Sequence, residues 1–290
     1  MIISKTIGIV GNGFVGSAVR YGFSPNVGVD AEVKVYDKDP NKSTHSLRDV
    51  VDSDIIFLSV PTPSNSDGSM NVDIVDSVLG DISKYADLFE VGTILLRSTV
   101  TPGTTRKLQE KYPNLTIVFN PEFLTERSAN FDFINQSRFI LGGEGHEHDG
   151  VNEVSELFRE RFGHSLSIIE TNYETAELIK YMTNTFFATK ISFLNDMKLL
   201  ADKCGVIWED AVEGFVRDGR VGHSHLNVPG HDGKYGFGGS CFPKDIQALI
   251  NFGQSNDVDM NVLKGAWETN LKVRPEKDWE QLKGRAVVDE

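Results

Sequence analysis

Seven short runs of nearly unbroken apolar residues punctuate the first part of the chain, at 6–10, 32–36, 54–60, 93–98, 115–119, 138–142 and 166–169. A strand with one wet face alternates apolar and polar side chains. A strand covered on both faces does not, and reads as a continuous run. Segments with helical periodicity lie between many of these runs, including 16–22, 72–85 and 152–162. Strand and helix in alternation imply a mostly parallel sheet with helices on both faces, a doubly wound α/β architecture.

Past Asn172 the rhythm changes. Residues 174–205 read as one long helix, with Ala176, Ile179, Thr183, Phe187, Ile191 and Leu194 at helical spacing. A loop-rich segment, 217–240, holds seven glycines. A second helix opens at Pro243 and carries Ile246, Leu249 and Ile250 on one side, and a last one lies around 262–273. The expected organisation is a Rossmann-like domain over 1–172 and an all-helical domain over 173–290. Phe186, Phe187, Ile191, Phe193 and Leu194 put apolar side chains on more than one face of the long helix. A helix of that kind is normally deeply buried, and a second copy of the chain is the expected cover, giving a homodimer through the central helices.

Acidic residues outnumber basic ones by 42 to 29, for a net charge of −13. That argues against a nucleic-acid partner, which needs a basic face. No apolar run approaches the ~18 residues of a membrane span. The two cysteines, Cys204 and Cys241, are too few for a disulfide scaffold. The start of the chain enters a strand with nothing resembling a leader, so a reducing, cytoplasmic setting is expected. Cys204 follows Leu199 and Leu200 late in the long helix and is expected in the core.

Gly11-Asn-Gly13-Phe-Val-Gly16 follows the first strand and opens a helix. Such glycines allow a tight turn, close approach of backbone to a pyrophosphate, and close helix–strand packing. The helix N-terminus offers free N–H groups to phosphates. The motif alone is weak, but the second strand ends at Asp37, 21 residues after Gly16. A carboxylate there accepts hydrogen bonds from a ribose diol and repels a 2′-phosphate, favouring NAD over NADP. Lys38 beside it would ease a phosphate.

Three further segments follow apolar runs: Val60-Pro-Thr-Pro63, Ser98-Thr-Val-Thr-Pro-Gly-Thr-Thr105 and Asn120-Pro-Glu-Phe-Leu-Thr-Glu126. Singly each is an ordinary turn, but loops at the carboxyl ends of strands are where open α/β sheets bind ligands. A fourth, Gly236-Phe-Gly-Gly-Ser-Cys-Phe-Pro-Lys-Asp245, sets Cys241 just ahead of a helix that begins at Pro243. A helix N-terminus lowers a thiol pKa and makes a nucleophile, Lys244 adds charge, and the glycines admit a ligand to the backbone. Lys180 and Asn184, four apart on the long helix, share a face and could both donate to an oxyanion. His146-Glu-His148 and His223-Ser-His225, with His231, have tempting spacings, but no Cys/His ligand pattern accompanies them, and no metal is expected.

These motifs, joined by Glu177-Leu-Ile-Lys-Tyr-Met-Thr-Asn184 and Arg220-Val-Gly222, resemble in order and spacing the UDP-glucose dehydrogenases within the UDP-glucose/GDP-mannose dehydrogenase family, over residues 6–270. The resemblance implies a four-electron oxidation of a nucleotide-sugar primary alcohol to the carboxylate by two NAD, through a thiohemiacetal and thioester on Cys241. It implies that Glu126 activates the hydrolytic water, that Lys180 and Asn184 stabilise oxyanions, and that Asp245 and Thr99 hold a water. Gly11, Gly13, Phe14, Val15, Gly16, Asp37, Pro61, Thr62, Ser98, Thr99, Glu126 and Lys244 would line the cofactor. Glu122, Phe123, Leu124, Lys180, Asn184, Arg220, Tyr235, Phe237 and Gly238 would line the substrate, Arg220 typically across a dimer interface. Thr101 and Thr125 stand where the family often has proline and arginine. Residues 281–288 look like the approach to a third domain that completes the nucleotide site in the family. Without that domain, GDP-mannose or an N-acetylated UDP-hexosamine stays open as substrate. A two-electron hydroxyacid dehydrogenase needs no Cys241, and a non-catalytic NAD-binding partner needs no such set of residues.

Overall fold

All seven apolar runs form strands of one sheet: β1 (Ile7–Val10), β2 (Val33–Tyr36), β3 (Ile55–Leu58), β4 (Thr93–Leu96), β5 (Ile117–Phe119), β6 (Arg138–Gly143) and β7 (Ser167–Asn172). The structure, a computed structural model, describes residues 1–144 and 149–289, Asp149 by its backbone alone. The strand order is β2-β1-β3-β4-β5-β6-β7. Neighbours run parallel except β5 and β6, which meet antiparallel through Phe119 and Gly142, so β6 and β7 run against the rest.

Between the strands lie α1 (Phe14–Gly22), α2 (Leu47–Val51), α3 (Asp73–Ser83), α4 (Thr104–Lys111), α5 (Ala129–Ile134) and α6 (Asp149–Phe162). Along β3, Ile55 and Phe57 pack into a core shared with α1, α5 and α6, whereas Ile56 and Leu58 pack into one shared with α2, α3 and α4. Both faces of the central strands are therefore covered, whereas edge strand β7 has no buried residue. That is why the strand sequences do not alternate.

The remaining helices are α7 (Tyr173–Cys204), α8 (Trp208–Val216), α9 (Cys241–Ser255) and α10 (Asn261–Val273). The chain divides into two compact units, residues 1–62 with 72–180 and residues 63–71 with 181–289, so the division falls inside α7 rather than at Asn172. The second unit has its own core, in which Tyr181, Ala188, Phe237, Ile246, Leu249 and Leu263 take part. Its 63–71 segment is tied to the chain's end: Ser64 N donates to Ala286 O (3.0 Å) and Val288 N to Ser64 O (3.0 Å). No described helix is long and apolar enough to cross a membrane.

Three local expectations need correction. Helix α8 stands where no element was expected, although Trp208, Ala211, Val212 and Phe215 have helical spacing. Cys204 is exposed, not core. It is the last residue of α7, and its neighbours Leu199 and Leu200 are exposed too, so apolar spacing here marks an uncovered face. Helix α9 opens at Cys241 itself, two residues before Pro243, with Ser240 as its N-cap. A proline costs nothing extra in the first turn, where N–H groups lack intrahelical partners in any case.

Candidate active site

In the first unit the glycine loop is built by contact rather than composition. Gly11 has φ +92°, and a Cβ there would lie 2.5 Å from Ser59 O. A Cβ on Gly16 would lie 1.9 Å from Gly11 O, so the first turn of α1 packs onto the loop only without one. Gly13, by contrast, has no atom within 4 Å of the position a Cβ would take. It is also the N-cap of α1 and makes no side-chain cap, which leaves the first N–H groups to an outside acceptor. Asp37 sits just past β2, with Oδ2 accepting from Asn12 N (2.6 Å) and Oδ1 from Asp39 N (2.8 Å). Asn12 Oδ1 is buried without a hydrogen-bond partner among the described residues. An open cradle, an unsatisfied polar atom and an acid at the end of β2 fit a dinucleotide. Phe14 and Val15 are half-buried and pack against the core beneath α1.

The neighbouring loops are stitched together. Ser98 Oγ donates to Val60 O (2.7 Å) and Thr62 Oγ1 to Thr99 O (2.8 Å), joining the turns after β3 and β4, with Pro61 exposed between them. Glu177, fully buried on α7, accepts from Gly103 N (2.6 Å), Thr105 N (2.7 Å) and Thr105 Oγ1 (2.6 Å). Burial pushes its carboxyl up to about 7, against the pull of those donors. One turn further on, Lys180 Nζ donates to Glu122 O (2.5 Å) and Glu122 Oε1 (2.9 Å), while Glu122 Oε2 accepts from Leu124 N (2.7 Å). Lys180 and Glu122 are both buried, and the ammonium also lies 5.4 Å from the centroid of the half-buried Phe123 ring. Glu126 opens a short exposed turn, at the far end of the same loop. Arg97 is buried between the rings of Phe57 and Phe133 and donates to Asn120 Oδ1. That burial lowers its guanidinium to about 10.

In the second unit, Cys241 is half-buried at the first position of α9, with Ser240 Oγ 3.8 Å from its sulfur. Asp245, 1% exposed, accepts from Asn184 Nδ2 (2.6 Å) and from Lys244 Nζ (2.7 Å). Lys244, expected to add charge near the thiol, is buried and its ammonium is paired with Asp245. The glycine segment before Cys241 is held from outside. Asn270 accepts from Phe237 N (2.7 Å) and donates to Phe237 O (3.0 Å), and Asn195 Oδ1 accepts from Gly236 N (3.0 Å). Arg274 donates to Tyr235 O (3.3 Å), to Asp232 (2.6 Å) and to Asp278 (2.6 and 2.9 Å). Burial opposes its charge, but the two carboxylates outweigh burial and raise its pKa. Its guanidinium fills the space a Cβ on Gly238 would need, 2.5 Å away.

Arg220 is exposed and pairs with Asp218 (2.8 Å from Nε). Lys190 donates to Val221 O (3.2 Å), Gly222 O (3.1 Å) and Ser224 O (2.7 Å) in the same loop. His223 and His231 are exposed, and His225 stacks on Phe187 with ring centroids 4.1 Å apart. His146 and His148 lie outside the described residues. Among the described residues no three His, Cys, Asp or Glu side chains gather as a metal site. Sequence reasoning missed Arg97, Glu177, Lys190, Asn195, Asn270 and Arg274 as builders of these loops. For Glu177 a signal existed, since it lies three residues before Lys180 and so shares its helix face.

The sheet order, the glycine loop and the acid after β2 together define a dinucleotide-binding protein of the Rossmann class. The chain belongs to the UDP-glucose/GDP-mannose dehydrogenase family. The model of that family's NAD binding domain matches residues 41–162, and the model of its central domain matches residues 174–272. A UDP-glucose 6-dehydrogenase of Rickettsia prowazekii is 35% identical over 226 residues, covering 77% of this chain and 50% of that protein. An uncharacterised protein of Methanocaldococcus jannaschii is 34% identical over 281 residues, covering 86% of this chain and 30% of its own length. The solved structure of a UDP-glucose dehydrogenase from Pyrobaculum islandicum superposes with a TM-score of 0.80 at 27% identity, over 92% of this chain and 68% of that one. The chain thus spans half or less of the length of these two curated relatives.

Proposed function

We propose that the protein is an NAD-dependent dehydrogenase that oxidises the C6 alcohol of a nucleotide sugar, UDP-glucose first among them, to the carboxylate. The first unit holds NAD, and the helical unit supplies the nucleophile. The observation that carries this reading is Cys241 on the first turn of α9, behind a glycine segment that Asn270, Asn195 and Arg274 hold in place. The free N–H groups of a first turn favour an anion, here a thiolate.

Bound NAD supplies the hydride acceptor. The alcohol loses a proton and a hydride and becomes an aldehyde. Cys241 Sγ then adds to the aldehyde carbon, and Lys180 and Asn184 stabilise the oxygen that takes up negative charge. The resulting thiohemiacetal loses its hydroxyl proton and a second hydride and becomes a thioester, and a second NAD would supply the acceptor for that hydride. Water, activated by Glu126 and held by Asp245 and Thr99, displaces the thiolate and leaves the carboxylate. Glu122, Phe123, Leu124, Arg220, Tyr235, Phe237 and Gly238 orient the sugar nucleotide in this reading.

The protein works as a homodimer in the same reading. Phe186, Phe193 and Leu200 are 61%, 49% and 56% exposed, and an apolar groove of about 350 Å³ runs between α7 and α8, lined by Phe193, Met197, Trp208 and Phe215 among others. A mass in solution of one chain would refute the dimer.

The test is NADH formed per UDP-glucose consumed, with excess NAD. A ratio of about two is expected from the two hydride steps. A ratio of one refutes the thioester route, and a Cys241→Ser variant that still forms the acid refutes the role of the thiol. Turnover of GDP-mannose or an N-acetylated UDP-hexosamine with none of UDP-glucose moves the substrate while keeping the chemistry. NAD binding without turnover on any sugar nucleotide points to a non-catalytic partner.

A further inference from the structure

We infer that Glu177 is a positioning residue for the cofactor: from α7 it fixes the 98–105 turn, and through that turn the loops that meet NAD. The inference rests on the reading that Ser98 and Thr99 face NAD.

The contacts form an unbroken chain within the first unit. Gly11 packs on Ser59 O, next to Val60. Ser98 Oγ holds Val60 O, and Thr62 Oγ1 holds Thr99 O. The turn that begins at Ser98 ends at Gly103 and Thr105, where Glu177 takes all three donors with both of its oxygens. Strands β1, β3 and β4 are neighbours in the sheet, so these loops sit side by side at carboxyl ends, where such sheets bind nucleotides.

An ordinary helix cap would not do this. The N-terminus of α4 has Gly103 at its N-cap, with φ +87° and no side-chain cap of its own. A local Ser or Asp would satisfy those N–H groups equally well. The acceptor comes instead from a residue 74 positions later, on a different helix. The same helix holds the next loop along, since Lys180 binds Glu122, and it is anchored to the strand before that loop, since Tyr173 Oη donates to Ile117 O (2.7 Å) in β5. The first turns of α7 therefore index the loops after β4 and β5 against one another. Glu177 is the residue that does so for the loop carrying Ser98 and Thr99.

The test uses the full chain and NAD alone, titrated by calorimetry at about pH 8.5, where a carboxyl of this kind is ionised. In Glu177→Gln the remaining oxygen can serve Thr105, but the amide N–H then faces Gly103 N–H. NAD affinity is expected to fall about tenfold, the scale of one hydrogen bond to a charged acceptor. In turnover the KM for NAD should rise with the KM for the sugar nucleotide unchanged. Thr105→Val removes one donor from the other side and is expected to weaken NAD about threefold. The double variant should lose less than the product of the two separate losses, because both substitutions act on one clamp. A folded Glu177→Gln with wild-type NAD affinity overturns the inference, as does a double variant whose losses multiply. Should Glu177→Gln not fold, unchanged NAD affinity in Thr105→Val overturns it. A wild type that binds NAD but oxidises no sugar nucleotide defeats the proposed function while this readout stands.

Discussion

Asn270 offers a sharp test of how the segment before Cys241 is held. Its side chain is fully buried on α10 and makes a two-point contact with one residue of that segment, accepting from Phe237 N and donating to Phe237 O. Each such bond contributes about 1 kcal/mol net, but truncation to alanine also strands a buried N–H and a buried carbonyl, and the whole loss comes to about 3 kcal/mol. Gly236 reinforces the estimate, since a Cβ there would lie 2.4 Å from Asn270 Oδ1, leaving no slack for another side chain to move in. The chain's three tryptophans, Trp208, Trp267 and Trp279, all belong to the second unit, so their fluorescence reports on this region. Phe237 and Trp267 rings are 6.2 Å apart, and Trp267 and Trp279 rings 5.3 Å. With a urea m-value of about 2 kcal/mol/M, Asn270→Ala should lower the fluorescence midpoint by about 1.5 M. Asn270→Asp keeps the acceptor for Phe237 N but turns a carboxylate toward Phe237 O, and should lose nearly as much at neutral pH. A shift below about 0.25 M in Asn270→Ala would show that the segment is held by something else, and the argument from these two bonds would be wrong.

Two further outcomes follow from the first unit. Gly16→Ala places a Cβ 1.9 Å from Gly11 O, which the loop cannot absorb without moving, so NAD affinity by calorimetry should drop at least tenfold while the far-UV circular dichroism stays that of the wild type. Glu177 holds a proton in the folded chain up to about pH 7, whereas its ordinary value is 4.5. Its folded pKa is raised, so its contribution to stability is full below the ordinary value and is lost as pH climbs through 4.5 to 7, a total of about 3 kcal/mol. Glu174 on the same helix adds repulsion in the same direction. Unfolding free energies at pH 4.5 and 8 should therefore differ by about 3 kcal/mol more in the wild type than in Glu177→Gln, and equal slopes would refute the shift.

Much of the fold was legible because burial on both faces writes itself into strand sequences as unbroken apolar runs. All seven runs became strands, and the long helix from Tyr173 was readable from the spacing of Ala176, Ile179 and Leu194. What failed was local. Cys204 and its neighbours had the apolar character of a core and lie on an open face, since spacing reports which residues share a side but not whether anything covers it. Helix α9 began at Cys241 because a first-turn proline does not fix which of the first turn's positions it takes.

The site divides along a different line. The residues proposed to meet a ligand at Gly11, Asp37 and Cys241 sit in or beside glycine- and proline-marked segments, and those marks are local, so they could be singled out from short stretches, whereas Lys180 on α7 stood out by its spacing from Asn184. Residues that hold the loops carry no such mark. Arg274 reaches Asp232 across 42 positions, Glu177 reaches Gly103 across 74, and Asn270 reaches Phe237 across 33. A buried Arg, Glu or Asn on a helix reads in sequence as one more polar residue on a wet face, and only the folded chain shows what it holds. The cost of leaving such a group unpaired is what makes it informative once seen: each is buried and each has its partners far along the chain. The same reasoning accounts for Lys244, whose charge looked from sequence like help for the thiol. A lysine 7% exposed needs a counter-charge at hand, and Asp245, the next residue, supplies it at 2.7 Å. The ion pair takes Asp245 Oδ1 and leaves Oδ2 to Asn184, so one buried carboxylate ties the lysine of α9 to the amide on α7.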